Sequence, residues 1–159
     1  MFPIRTILFG TDFSRCSEDA FDLACALARD YKARLIVAHV KTFPTIGYGE
    51  FGAIPPGAEE DPAATKALLT AMKPKSGDID VRYVLAEGDP ASELVRLASE
   101  TPCDLIIVGS HGRTGLGRLL LGSVAEVVVR RAPCPVLTIK RPIVVPEAKL
   151  KAVMEPTMT

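Results

Sequence analysis

The sequence predicts an α/β fold, an open, doubly wound parallel sheet of five strands with helices on both faces. Short β-rich apolar runs alternate with stretches of helical period along most of the chain. The runs Arg34–Val40 and Leu105–Val108 lack a steady polar face, as expected for parallel strands covered on both sides. Two helical stretches open on Asp61-Pro62 and Asp89-Pro90, a capping residue followed by proline at the first helical position.

Ile4–Phe9 reads as the first strand, giving way to a loop at Gly10-Thr11-Asp12. Ser14 and Ser17 are candidate caps of the first helix, where Ala20, Phe21, Ala24, Leu27, Ala28 and Tyr31 recur at helical spacing. Arg34–Val40 is the second strand. Residues 41–60 carry four Gly and three Pro without a steady period and read as a long loop. Asp61-Pro62 starts the second helix, with Ala64, Ala67, Leu68, Ala71 and Met72 as its expected buried stripe. Asp80–Ala86 is the third strand, and Leu94, Leu97 and Ala98 mark the third helix. Leu105–Val108 is the fourth strand. Val124–Arg131 is the last helix, with Arg130 and Arg131 at its negative end, and Val136–Ile139 is the fifth strand. Residues 1–141 form the expected domain and 142–159 a tail interrupted by Pro142, Pro146 and Pro156.

A chain of 159 residues with 48% apolar content can build one real core. Lys plus Arg equals Asp plus Glu at 19 each, so no global field would hold the chain on nucleic acid or an anionic membrane. No apolar run has the length of a membrane span, and Met1–Thr6 lacks a signal-peptide pattern, so the expected location is the cytoplasm. Cys16, Cys25, Cys103 and Cys134 are scattered, without zinc-finger or redox spacing, and are expected to be reduced and structural.

In a doubly wound sheet a ligand sits beyond the C-terminal ends of the strands, where strand order reverses. The segment Gly109-Ser110-His111-Gly112-Arg113-Thr114-Gly115-Leu116-Gly117-Arg118-Leu119-Leu120-Leu121-Gly122-Ser123 follows the fourth strand directly and opens a helix. Gly109 and Gly112 allow backbone amides to approach a phosphate without a Cβ in the way. Gly122, Ser123 and Val124 stand at the helix start, where free N–H groups and the helix dipole favour an anion. The Val124 side chain is expected in the core. Neither a P-loop nor a dinucleotide fingerprint is present, and the missing P-loop lysine argues against fast phosphoryl transfer.

The spacing G-x2-G-x9-G-[ST] after the fourth strand resembles the ATP-binding signature of the universal stress protein family, matched by Gly109, Gly112, Gly122 and Ser123. The segments ILFGTDFS and IIVGSHGRTGLGRLLLGSVAEVVVRRAPCPVLTIK also resemble the family, and the likeness covers roughly Ile4 to Arg141. The resemblance implies a Rossmann-like sheet in the order 3-2-1-4-5. It implies that Gly10, Thr11 and Asp12 lie close to the nucleotide, with Asp12 on a ribose hydroxyl or a hydrated magnesium ion. The other reading of Asp12 is an Asx-turn or cap acceptor for the first helix. Val40 would offer its backbone to adenine. His39 is read as structural, His111 lies inside the glycine loop, and Arg113 and Arg118 are either phosphate partners or solvated. Family members commonly dimerise through the last strand, here Val136–Ile139.

The function expected is an ATP-binding module in stress response or regulation, with at most slow hydrolysis and no catalytic residue assigned. Two alternatives remain at this level. One is a magnesium-dependent ATPase using Asp12. The other is a dimeric interaction protein whose glycine loop is structural.

Overall fold

The computed structural model describes residues 3–42, 61–75, 77–110 and 121–140 with their side chains, and the backbone of 48–49 and 52–53. Among the described residues eleven elements follow one another: β1 (Thr6–Thr11), α1 (Arg15–Tyr31), β2 (Arg34–Lys41), β3 (Tyr48–Gly49), β4 (Gly52–Ala53), α2 (Pro62–Ala71), β5 (Val81–Glu87), α3 (Pro90–Glu100), β6 (Leu105–Gly109), α4 (Ser123–Arg131) and β7 (Val136–Ile139). The main sheet is parallel throughout and runs β5-β2-β1-β6-β7. Counting its strands along the chain, that order is 3-2-1-4-5, as the family resemblance implied.

Side-chain alternation along the central strands builds one core on each face. Ile7, Phe9, Leu35, Val37 and Ile107 point to the face covered by Phe21, Ala24 and Ala28 of α1 and Leu69 of α2. Leu8, Ile36, Val40, Ile106 and Val108 point to the opposite face, covered by Leu94 and Ala98 of α3 and Ala125 and Val128 of α4. The two connections preceding β5 thus lie on one face and the two following it on the other. The reversal falls beside β1, whose neighbours are β2 and β6.

Four expectations need correction. Gly10 and Thr11 are the last two residues of β1, paired with Ala38 and His39, and not part of the loop. The buried stripe of α2 is Thr65, Leu69 and partly Met72, while Leu68 is 58% exposed. The alanine-rich stretch has no wide apolar face, so the helix rotates to bury the one leucine that stands a turn beyond Thr65, at i+4. Within 41–60 the backbone of Tyr48–Gly49 pairs antiparallel with Gly52–Ala53, a two-residue ladder too short to leave a period in the sequence. Val124 is 37% exposed; Ala125 and Val128 supply the core contacts of α4.

Candidate functional site

The C-terminal ends of β1, β2 and β6 meet where strand order reverses, so Asp12, Val40, Gly109 and Gly122 reach the same end of the sheet from four segments. Gly112 lies outside the described residues, as do His111, Arg113 and Arg118.

β6 hands over to α4 through a closed neck. The Ser110 N–H donates to the Ile139 carbonyl at 2.8 Å, and the Gly122 N–H donates to the buried Ser110 carbonyl at 2.6 Å. The two ends of the glycine segment are thereby fastened together, with Gly122 as the cap of α4 at φ −70° and ψ 156°. The other three long helices start on a side-chain cap: Ser14 accepts from the Ser17 N–H, Asp61 from Ala63 and Asp89 from Ser92. Helix α4 has no such side-chain bond among the described residues. Its first-turn amides and dipole therefore face the crevice as an electropositive end. Ser123 adds a hydroxyl there, and the exposed Val124 stands beside it.

Two of the glycines also have packing reasons. A Cβ on Gly10 would stand 2.8 Å from Leu94 Cδ1, so α3 needs hydrogen at this position of β1. A Cβ on Gly109 would stand 3.2 Å from Cys16 Sγ and 3.4 Å from the Cys16 carbonyl carbon, where α1 crosses β6.

The turn after β1 is held by its own polar groups. Asp12 Oδ1 accepts from the Ser14 N–H at 3.0 Å, so the Asx-turn is formed. That bond uses one lone pair of a carboxylate that has about four acceptor sites. Thr11 Oγ1 accepts from the Phe13 N–H at 3.1 Å and from the buried Ser17 hydroxyl at 2.8 Å. His39 Nδ1 donates to the Thr11 carbonyl at 2.8 Å, and its ring stacks on Phe13 with centroids 4.4 Å apart. Phe13 itself sits at φ 60°, a left-handed conformation that costs a bulky residue about 1–2 kcal/mol and that its neighbours must hold in place.

The register shows what Phe13 gives up. The Arg34 N–H donates to the Arg5 carbonyl and the Leu35 N–H to the Asp80 carbonyl, so even-numbered residues of β2 turn their polar groups toward β1 and odd-numbered ones toward β5. The Gly88 N–H donating to the Lys41 carbonyl at 2.9 Å keeps that alternation. Continued by one step, the ladder would take the Phe13 N–H to the Val40 carbonyl. It goes to Thr11 Oγ1 instead. Where β1 turns away, the Val40 carbonyl therefore points into the opening between β1 and β2.

The remaining chemistry is spare. Burial pushes the Cys25 thiol up to about 11 and the Cys134 thiol up to about 12, with Asp22 and Cys103 respectively adding to the effect, and Cys103 is raised by burial too. These thiols stay protonated, as expected of structural cysteines. A cavity of about 130 Å³ between α3 and β5, with Leu8, Ile36, Arg82 and Cys103 in its lining, lies toward the opposite ends of the strands and is no part of the crevice. No group of three or more His, Cys, Asp or Glu among the described residues is placed to hold a metal ion. Magnesium often binds through one carboxylate together with phosphate oxygens and water, a role within the chemistry of Asp12. No described helix is long and apolar enough to cross a membrane.

Sequence reasoning gave Phe13 and Ser110 no role of their own, and Ser17 only that of a candidate cap. Phe13 gives no signal, because phenylalanine is not a residue expected at positive φ. Ser17 was legible only as a possible cap; the structure gives the cap to Ser14 and turns Ser17 inward to Thr11.

Comparison with known proteins agrees with this fold. The sequence profile of the universal stress protein family matches residues 3–140. Universal stress protein MJ0531 of Methanocaldococcus jannaschii is 34% identical over 142 residues, covering 87% of this chain and 83% of that protein. The solved universal stress protein UspA from Lactobacillus plantarum shares the fold, with a TM-score of 0.68 at 24% identity over 86% of this chain and 97% of that one. A universal stress protein solved in complex with cAMP has a TM-score of 0.62 at 30% identity, covering 87% of this chain and 98% of that one. With its parallel sheet, glycine-capped α4 and matched profile, this chain belongs to the universal stress protein family.

Proposed function

We propose that the chain is a cytoplasmic, ATP-binding regulatory module whose nucleotide lies across the ends of β1, β2 and β6. The observation that carries this reading is the glycine-capped N-terminus of α4, which offers its amides to an anion at the switch point of the sheet. Gly109, Gly112, Gly122, Ser123 and the Val124 amide would hold the phosphates. Gly10, Thr11 and Asp12 would line the nucleotide, with the Asp12 carboxylate on the ribose or on hydrated magnesium. The Val40 backbone would meet the adenine edge, and its carbonyl is an acceptor suited to an exocyclic amino group. A relative solved with cAMP supports an adenine nucleotide as the ligand class. Hydrolysis is at most slow in this reading, and binding is the function.

Calorimetric titration of ATP with magnesium into the purified, nucleotide-free chain tests it, beside Gly122→Val. The backbone of Gly122 is one that valine can adopt, so the variant should fold and obstruct the phosphate path. Micromolar binding by the wild type, lost in the folded variant, supports the cradle. A wild type that binds no adenine nucleotide overturns the reading.

A homodimer through Val136–Ile139 is the second part of the proposal. In the described sheet β7 pairs with β6 alone, and all four of its residues are only half-buried. Because the Ile106 and Ser110 N–H groups donate to Pro135 and Ile139, the polar groups of Thr138 point off the outer edge. Thr138→Pro should therefore leave the β6 pairing intact and convert a dimer to monomers in sedimentation velocity. A wild type that sediments as a monomer would refute this part.

A further inference from the structure

We infer that His39 is a positioning residue for the nucleotide site, acting through Phe13 on both Asp12 and the Val40 carbonyl. The inference rests on the nucleotide reading and deepens it.

His39 is buried on the α1 face of β2, one residue before Val40 and level with Thr11 in the register. Its imidazole makes two contacts with the turn after β1. The Nδ1–H donates to the Thr11 carbonyl at 2.8 Å, and the ring lies against the Phe13 ring at 4.4 Å and 33°. Between those contacts stands Asp12, whose own bond to the Ser14 N–H depends on the same turn. Phe13 is the residue at φ 60°. Released from His39, it has a lower-energy alternative in extended backbone, with its N–H returned to the ladder and donating to the Val40 carbonyl. That relaxation would remove the acceptor proposed for the base and swing Asp12 away from the crevice in one move. The Thr11–Ser17 hydroxyl bond braces the turn from α1, but it touches neither Phe13's ring nor β2. To the backbone pairing of Thr11 with β2, the His39 side chain adds a link from that strand to Phe13.

The test uses three variants of the full chain. His39→Leu keeps bulk against Phe13 and removes the donor. His39→Asn places an amide N–H close to the position of Nδ1. His39→Gln carries the same amide one methylene further and misses it. Amide hydrogen exchange of the nucleotide-free proteins is followed at Ser14, with Ile107 and Val128 as global controls. The variants are then titrated with ATP and magnesium, alone and combined with Asp12→Ala.

In His39→Leu and His39→Gln, exchange at Ser14, whose acceptor Asp12 swings away, is expected to rise at least tenfold while the controls hold, and ATP affinity to fall about tenfold. His39→Asn should recover most of both. The affinity loss should add only in part to that of Asp12→Ala, since the carboxylate is common to both while the Val40 acceptor is lost only with His39. If His39→Leu does not fold, the contrast between Asn and Gln carries the comparison. Unchanged exchange at Ser14, or a loss fully additive with Asp12→Ala, overturns the inference. A wild type that binds ATP as well as all three variants do refutes the role of His39 alone, whereas a wild type that binds no adenine nucleotide refutes the nucleotide reading on which it rests.

Discussion

Cys16 Sγ lies 3.2 Å from the point where a Cβ on Gly109 would stand, and the Cys16 thiol donates to the Ile139 carbonyl at 3.3 Å. One side chain at the start of α1 thus fills the hydrogen-sized gap over β6 and reaches across to β7. Gly109→Ala should crowd the start of α1, which must give by a few tenths of an ångström, and destabilise the fold by about 1–3 kcal/mol, the usual cost of overpacking. Combining it with Cys16→Ala removes the sulfur the new methyl meets, though the backbone of Cys16 at 3.4 Å remains. Urea denaturation of the two single variants and the double variant should show a coupling of about 0.5 kcal/mol or more. Full additivity would mean that the sulfur is not what the glycine accommodates.

This contact marks the limit of what the chain alone discloses. The glycine loop was legible because its spacing stands out, but whether Gly109 serves a ligand or a neighbouring helix depends on how α1 crosses β6, which no local pattern records. The alternation of strands and helices, and hence the parallel sheet, was legible because each apolar run is short and the helices between them show a periodic face or open on a cap followed by proline. Helix α2 was placed correctly yet rotated wrongly, since in PAATKALLTA alanines on every side leave the choice of face to the sheet beneath. The end of β1 was misread at Gly10 because glycine normally weakens a strand. Here Leu94 needs the space. Asp12 kept two readings, and the Asx-turn that one of them required is present.

Asp89 caps α3 by accepting from the Ser92 N–H at 2.9 Å. That backbone hydrogen bond, with one from the Ser92 hydroxyl, lowers its pKa below the ordinary carboxylate value. A depressed folded-state pKa stabilises the fold above the unfolded pKa and loses that contribution as pH falls through the folded value. Asp89→Ala should cost about 1 kcal/mol at pH 7, toward the lower end of cap losses because the site is exposed. Thermal melts of the two proteins should converge as pH is taken below 4. Equal differences at both ends of the range would show that ionisation of Asp89 contributes nothing.

Burial raises Cys25 to about 11 and Cys134 to about 12. A two-unit rise above an ordinary thiol lowers the thiolate fraction at pH 8 about a hundredfold, and the thiolate is the reactive species. Iodoacetamide at pH 8 should accordingly label Cys25 at least a hundredfold more slowly in the native protein than in urea, with Cys134 slower still. Peptide mapping after timed quenches measures both. Native rates within tenfold of the unfolded ones would place these thiols in a more open setting than the packed faces described above.

Asp12 joins a structural role to a proposed binding role, and two substitutions separate them. Asparagine keeps an Oδ1 acceptor for the Ser14 N–H and so keeps the turn, but it removes the charge that hydrated magnesium would need. Alanine removes both. Asp12→Asn should melt within about 2 °C of the wild type, since a neutral acceptor replaces a charged one in a partly exposed turn. Asp12→Ala should lose about 0.5–1.5 kcal/mol, the net value of one hydrogen bond. In ATP titrations the two variants should behave alike, both losing the increment in affinity that magnesium gives the wild type. The carboxylate would then be the group that meets the metal–phosphate end of the ligand, and the turn would be its support. If Asp12→Asn retained the full magnesium dependence while Asp12→Ala lost affinity in parallel with stability, the residue would be a turn former, and the charge opposite the α4 N-terminus would play no part in binding.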